Sequence, residues 1–140
     1  MNFELERFLI AQEHNYSQAL IELSSGKKSS HWIWYIFPQL KGLGHSYNSN
    51  YYGIDGKEEA VEYLNHPVLG VRLREISSVV LGLEGRDIVS IMSSIDAMKL
   101  WSSMTLFDAV SPCDIFGEVL EKYYAGKRDD RTLGMLEYNC

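Results

Sequence analysis

Apolar residues recur along this chain at intervals of three and four, the spacing that lines one face of an α-helix. The first such stripe runs from about Phe3 to Glu13, with Leu5, Phe8, Leu9 and Gln12 on one side. A second begins at Ser17, a natural N-cap, turns Ala19, Leu20 and Leu23 inward, and stops at Ser25 before Gly26. A third spans Ser30 to Phe37 and ends at Pro38, which disfavours helix at the residue before it. Lys41 to Ile54 holds Gly42, Gly44, Asn48, Asn50 and Gly53 and reads as a long loop. Asp55 and Glu58 have capping-box spacing and open a helix to Asn65. Pro67 suits the first position of the next, which runs to about Glu84 and stops at Gly85. A short turn over Asp87–Met92 leads to a helix from Ile95 to Val110, capped by Ser94 and broken by Ser111-Pro112. Asp114 to Ala125 and a short stretch from Asp129 or Asp130 through Leu136 complete the pattern. Strand-like alternation is weak throughout. The expected fold is all-α, an irregular bundle of seven or eight helices forming a single domain over residues 1–140.

Composition changes this picture only by exclusion. A chain of 140 residues, 46% hydrophobic and 23% charged, builds a core without metal or disulfide staples. A net charge of −6 disfavours a surface that coats double-stranded nucleic acid. Two cysteines, Cys113 and Cys140, the second at the last position, point to a reducing, cytoplasmic setting. The start of the chain is acidic, unlike a signal peptide, and no apolar run reaches the roughly 18 residues of a membrane span. The histidines and cysteines have no metal-ligand spacing, so neither a metal nor another cofactor is expected.

Three constellations carry candidate chemistry. The segment Ser30-His31-Trp32-Ile33-Trp34-Tyr35-Ile36-Phe37-Pro38-Gln39 is the densest in rings. On a helix, Ile33, Ile36, Phe37 and Leu40 form a core stripe, while His31, Trp34 and Tyr35 point the other way. A second face that is aromatic rather than charged must also meet something. Either the helix is buried on both sides, or Trp34 and Tyr35 stack on a planar ligand while His31 and Gln39 hydrogen-bond to it. Arg72 is the second feature, because it falls among the inward residues Leu69, Leu73 and Ile76, whereas Arg74 points to solvent. A guanidinium aimed at a core needs an acidic partner or an anionic ligand. The third is the helix from Ile95, apolar almost all round except for a stripe of Asp96, Lys99 and Ser103. Asp96 and Lys99 are spaced to pair. The stripe is either a narrow solvent-facing strip or a polar rim on which Lys99 and Ser102, Ser103 or Thr105 hold a phosphate or sugar.

The run Gly26 to Leu40 followed by Gly42-Leu43-Gly44 resembles the signature of a bacterial family, domain of unknown function 1810, whose members often carry the label "calpastatin". Tyr52-Gly53-Ile54, His66-Pro67-Val68-Leu69-Gly70, Arg72-Leu73, Asp96, Lys99-Leu100, Ser102 to Phe107, Gly126, Asp129 and Thr132-Leu133 carry the same resemblance. It implies a helical fold. Inhibitors of the calpastatin kind are disordered repeats, and this chain is neither. A fainter likeness of layout to the NADAR (YbiA-like) proteins, which act on N-glycosidic or ADP-ribose-linked substrates, implies a nucleotide-like ligand.

Together these readings describe a small cytoplasmic helical protein with an aromatic and basic pocket for an anionic, nucleotide-like or ADP-ribose-like small molecule. Trp34, Tyr35 and Gln39 would hold its planar part, and Arg72, Lys99, Ser103 and Thr105 its anionic part. If the protein is an enzyme, N-glycosidic hydrolysis is the expected reaction. His31, as a neutral imidazole able to take a proton, and Asp96 or Glu59 as base would be the catalytic groups. The competing class is a non-enzymatic interaction or regulatory module whose aromatic face meets a partner protein or the second half of a homodimer.

Overall fold

The computed structural model describes residues 4–138. Phe3, read above as the start of the first helix, and Cys140 lie outside them. The described residues form nine helices: α1 (Glu6–Ser24), α2 (Ile33–Ile36), α3 (Tyr47–Tyr51), α4 (Gly56–Asn65), α5 (Leu69–Gly82), α6 (Ile88–Met92), α7 (Ser94–Val110), α8 (Ile115–Tyr124) and α9 (Asp130–Tyr138). The all-α irregular bundle is thus present, with one or two helices more than the spacing predicts. None is long and apolar enough to cross a membrane.

The differences have local causes. α1 runs unbroken through Ser17 because Phe8, Gln12, Tyr16, Ala19 and Leu23, all buried, continue a single stripe, and burial of that stripe outweighs the capping preference of an exposed serine. The loop 41–54 is closed at its base by an isolated parallel bridge between Leu40 and Ile54. Lys41 N donates to Ile54 O at 2.9 Å and Ile54 N to Gln39 O at 2.9 Å. Inside it Ser46 caps α3 by accepting from Ser49 N. The capping box at α4 is displaced by one residue: Asp55 makes no cap bond, and Glu59 reaches back to accept from Asp55 N at 2.6 Å.

α7 is the central helix, packed against α2, α4, α6, α8 and α9, while α5 packs on α1, α4 and α8. A line of rings crosses the core from α1 to α8. Phe8 meets Tyr63 edge-on at 5.0 Å, Tyr63 meets Phe107 at 5.4 Å, and Phe107 meets Phe116 at 5.7 Å. Each contact contributes about 0.5–1.5 kcal/mol beyond the area it buries. α5 starts hard against the end of α4: a Cβ on Gly70 would lie 2.0 Å from Leu64 O. α9 is joined to α7 through Asp129, which is 1% exposed. Its carboxylate accepts from Ser102 Oγ at 2.6 Å and Thr132 Oγ1 at 2.9 Å, and Asp129 N donates to Thr105 Oγ1 at 3.0 Å.

Candidate functional site

The aromatic segment owes its position to a buried carboxylate. Glu22 on α1 is 4% exposed. It accepts from Ser29 N (2.8 Å), Ser30 N (2.9 Å), Ser30 Oγ (2.5 Å), Gln18 Nε2 (2.9 Å) and Trp32 Nε1 (2.9 Å). Burial alone would push its pKa up, but these donors outweigh burial and hold it well below the ordinary carboxylate range. Because the residues before Ile33 wrap this carboxylate, the helix that the rings suggest over Ser30 to Phe37 shrinks to the single turn of α2. Trp32 is consequently sealed in the core, 1% exposed. Lys28 clamps the same segment to α7, with Nζ 2.7 Å from Asp96 Oδ2 and 4.8 Å from the centroid of the Trp32 ring.

The polar stripe of α7 faces inward, toward α2, rather than solvent. Ser103 is fully buried, and Asp96 and Lys99 are half-buried, while Ile95 and Met98 on the other side are 71% and 53% exposed. The pairing of Asp96 with Lys99 that the spacing suggests does not form. Asp96 is taken by Lys28, and Lys99 Nζ instead lies 5.0 Å from the Trp34 ring centroid. Two buried polar atoms here have no hydrogen-bond partner among the described residues, Trp34 Nε1 and Ser103 Oγ. An indole N–H can only donate, so this part of the site is short of an acceptor, and Lys99 has no carboxylate partner among the described residues.

Tyr35 leads to the second cation. Its carbonyl accepts from Gln12 Nε2 at 2.7 Å; the same amide nitrogen lies 3.1 Å from Tyr63 Oη, and Gln12 Oε1 accepts from Arg72 Nη1 at 3.3 Å. The Arg72 guanidinium also lies 5.1 Å from the Tyr16 ring centroid. Arg72 therefore has a neutral amide and a ring for company, and no carboxylate ion pair among the described residues. Burial and the neighbouring Tyr52 push the Tyr35 phenol up, so its hydroxyl is protonated at neutral pH.

The family model described as "Protein of unknown function (DUF1810)" matches residues 2–136. The chain belongs to the DUF1810 family. Among solved structures it is similar to the conserved hypothetical protein Rv1873 from Mycobacterium tuberculosis, with 44% identity and a TM-score of 0.95 over 96% of this chain and 97% of that one. No curated protein matches it.

In this DUF1810 protein, then, the fold joins Trp34 and Lys99 directly, adds Ser103 one turn further along α7, and links Tyr35 to Arg72 through Gln12. Other candidates fall elsewhere. Thr105 donates to Trp101 O at 2.8 Å and belongs to the α7–α9 joint. Glu59 is 2% exposed, pairs with Arg7 at 3.0 Å, and lines a separate cavity of about 350 Å3 with Lys41 and Tyr51. His31 is exposed and precedes α2, and Gln39 follows it, half-buried. Arg74 is not a free solvent-facing cation, since its Nη2 lies 3.0 Å from Asp114 Oδ2. The connectors Gln12, Glu22 and Lys28 were not among the candidates. Gln12 and Glu22 carry a signal all the same: each is a polar residue at an inward position of the α1 stripe.

Proposed function

We propose that this DUF1810 protein binds a small anionic, nucleotide-like molecule beside Trp34, Tyr35 and Lys99, with Ser103 buried one turn beyond Lys99 on α7 and Arg72 reached through Gln12. The observation that carries this reading is the buried Trp34 Nε1 and Ser103 Oγ, both unpartnered among the described residues, near Lys99, which has no carboxylate partner among them. An unsatisfied buried donor costs about 1–3 kcal/mol, and a ligand oxygen would recover that cost while meeting the charge of Lys99. The indole and phenol rings suit a planar group. The likeness of layout to the NADAR proteins supports an ADP-ribose-like compound within this class.

Binding takes precedence over hydrolysis in this reading. N-glycosidic hydrolysis asks for a carboxylate free to act on the sugar or on water. Asp96 and Glu59 are each engaged in an ion pair. A thermal-shift series with ADP-ribose, NAD, mononucleotides and sugar phosphates tests the proposal. A true ligand at 100 times its Kd stabilises the fold by about 2.7 kcal/mol, and Lys99→Ala and Arg72→Ala should each reduce the shift. No shift with any of these compounds, or shifts that both variants leave intact, overturns it.

A further inference from the structure

α7 turns to solvent the kind of side chain that a helix ordinarily keeps for a core. Ile95 and Met98 are 71% and 53% exposed, and Val89 on the adjacent α6 is 50% exposed. Beside them lies a groove of about 410 Å3 lined by Ile88, Val89, Ala97, Met98, Trp101 and Tyr124, together with Ser94 and Lys127. The Trp101 and Tyr124 rings stack with centroids 6.2 Å apart and planes 22° from parallel. Their polar atoms are already committed to the backbone: Trp101 Nε1 donates to Lys127 O at 2.8 Å and Tyr124 O–H to Ala97 O at 2.6 Å. The groove therefore offers ring faces and aliphatic carbon. Lys127 is exposed and forms no ion pair with a carboxylate among the described residues, on a chain of net charge −6.

We propose that this groove binds one molecule of a small anionic amphiphile, its apolar body against Met98, Trp101 and Tyr124 and its acidic head on the Lys127 ammonium. The volume falls within the roughly 300–1,000 Å3 of small-molecule sites, and one lysine without a carboxylate partner among the described residues, beside an apolar slot, matches one acidic head. Contiguous exposed apolar surface on a small protein marks an interaction site, and methionine and aromatic walls adapt to flexible chains. This site is separate from the one proposed above and does not depend on it.

Laurate, with dodecanol as its uncharged counterpart, tests the proposal in NMR titrations of the full chain. Laurate should saturate at one molecule per chain, shift the amides of residues 88–101 and 124–127, and bind at least about tenfold more tightly than dodecanol, a difference of about 1.4 kcal/mol. Met98→Glu should abolish binding of both. Lys127→Glu should weaken laurate about tenfold while leaving dodecanol within about twofold. Both substitutions alter exposed side chains and spare the carbonyls that hold Trp101 and Tyr124. Lys99→Ala should leave laurate binding unchanged, which separates this site from the nucleotide-like one. Four results overturn the proposal: no saturation below the micelle concentration of laurate, equal affinities for laurate and dodecanol, binding to phosphatidylglycerol vesicles without binding to laurate, or a dimer in sedimentation velocity that Met98→Glu dissociates.

Discussion

At the scale of single residues, the decisive atoms are those whose hydrogen bonds are missing. Ser103 Oγ is buried with no partner, so without a ligand the hydroxyl is a burden on the fold. Ser103→Ala removes the oxygen and changes little else in volume. It should raise the unfolding free energy by about 1 kcal/mol in urea titrations while weakening any nucleotide-like ligand. A loss of stability of that size instead would mean that an ordered water satisfies the hydroxyl, and would remove the reason for placing a ligand atom there. Arg72 shows what the sequence makes visible at this scale. Its place among inward apolar residues marks it as needing a partner, but the partner, Gln12, is 60 positions away and neutral, which no helical spacing reveals. Arg74 misleads for the complementary reason, since its outward position on α5 becomes a contact only when Asp114 at the start of α8 arrives beside it.

At the scale of elements, the bounds of α5, α7 and α8 were legible, whereas the continuity of α1 through Ser17 and the shortness of α2 are set by tertiary contacts. α5, α7 and α8 fall within about two residues of their expected bounds, although α7 is capped by Ser93 rather than Ser94 and α5 begins at Leu69, after Val68, rather than at Pro67. α2 is cut to one turn because Glu22 recruits the preceding amides, a contact that links residues seven to ten positions apart across a turn. The stripe Asp96, Lys99 and Ser103 was legible as a unit, but its direction was not. Nearly uniform hydrophobicity around α7 leaves orientation to its neighbours, and the aromatic segment takes the polar side. Gly70 is a further case in which the reason for a residue lies in another element. Its missing Cβ lets α5 approach Leu64 O, where an added carbon would sit at 2.0 Å, well inside van der Waals contact. Helix propensity alone favours Gly70→Ala by up to about 1 kcal/mol. The clash with a backbone oxygen should reverse that sign and destabilise the protein by about 2–3 kcal/mol in chemical denaturation. A stabilised variant would show that α4 and α5 separate easily.

At the scale of the whole molecule, three carboxylates tie the architecture together: Glu22 joins α1 to the aromatic segment, Asp129 joins α7 to α9, and Asp114 joins α5 to α8. Burial works against ionisation in each, yet their hydrogen bonds outweigh it and hold all three below their ordinary values of 4.5 for Glu22 and 3.8 for Asp114 and Asp129. The native state therefore holds fewer protons than the unfolded chain in mild acid, so stability rises with pH across that window. The contribution is fully present above about pH 5, where the unfolded carboxyls are also ionised, and is lost as pH falls through the depressed native values. Asp114 should contribute less than Asp129, because its own side chain is 21% exposed against 2% for Asp129, and solvent screens its pair with Arg74. Urea midpoints measured from about pH 7 down to pH 2 should stay level as far as these groups are concerned and then fall steeply below about pH 4.5. Glu22→Gln should be less stable at neutral pH, because an amide places donors against donors. Its acid limb should be shallower by up to one proton, about 1.4 kcal/mol per pH unit. An acid limb of unchanged slope in Glu22→Gln would show that this carboxylate does not govern acid unfolding, and that the aromatic segment is held by packing rather than by charge.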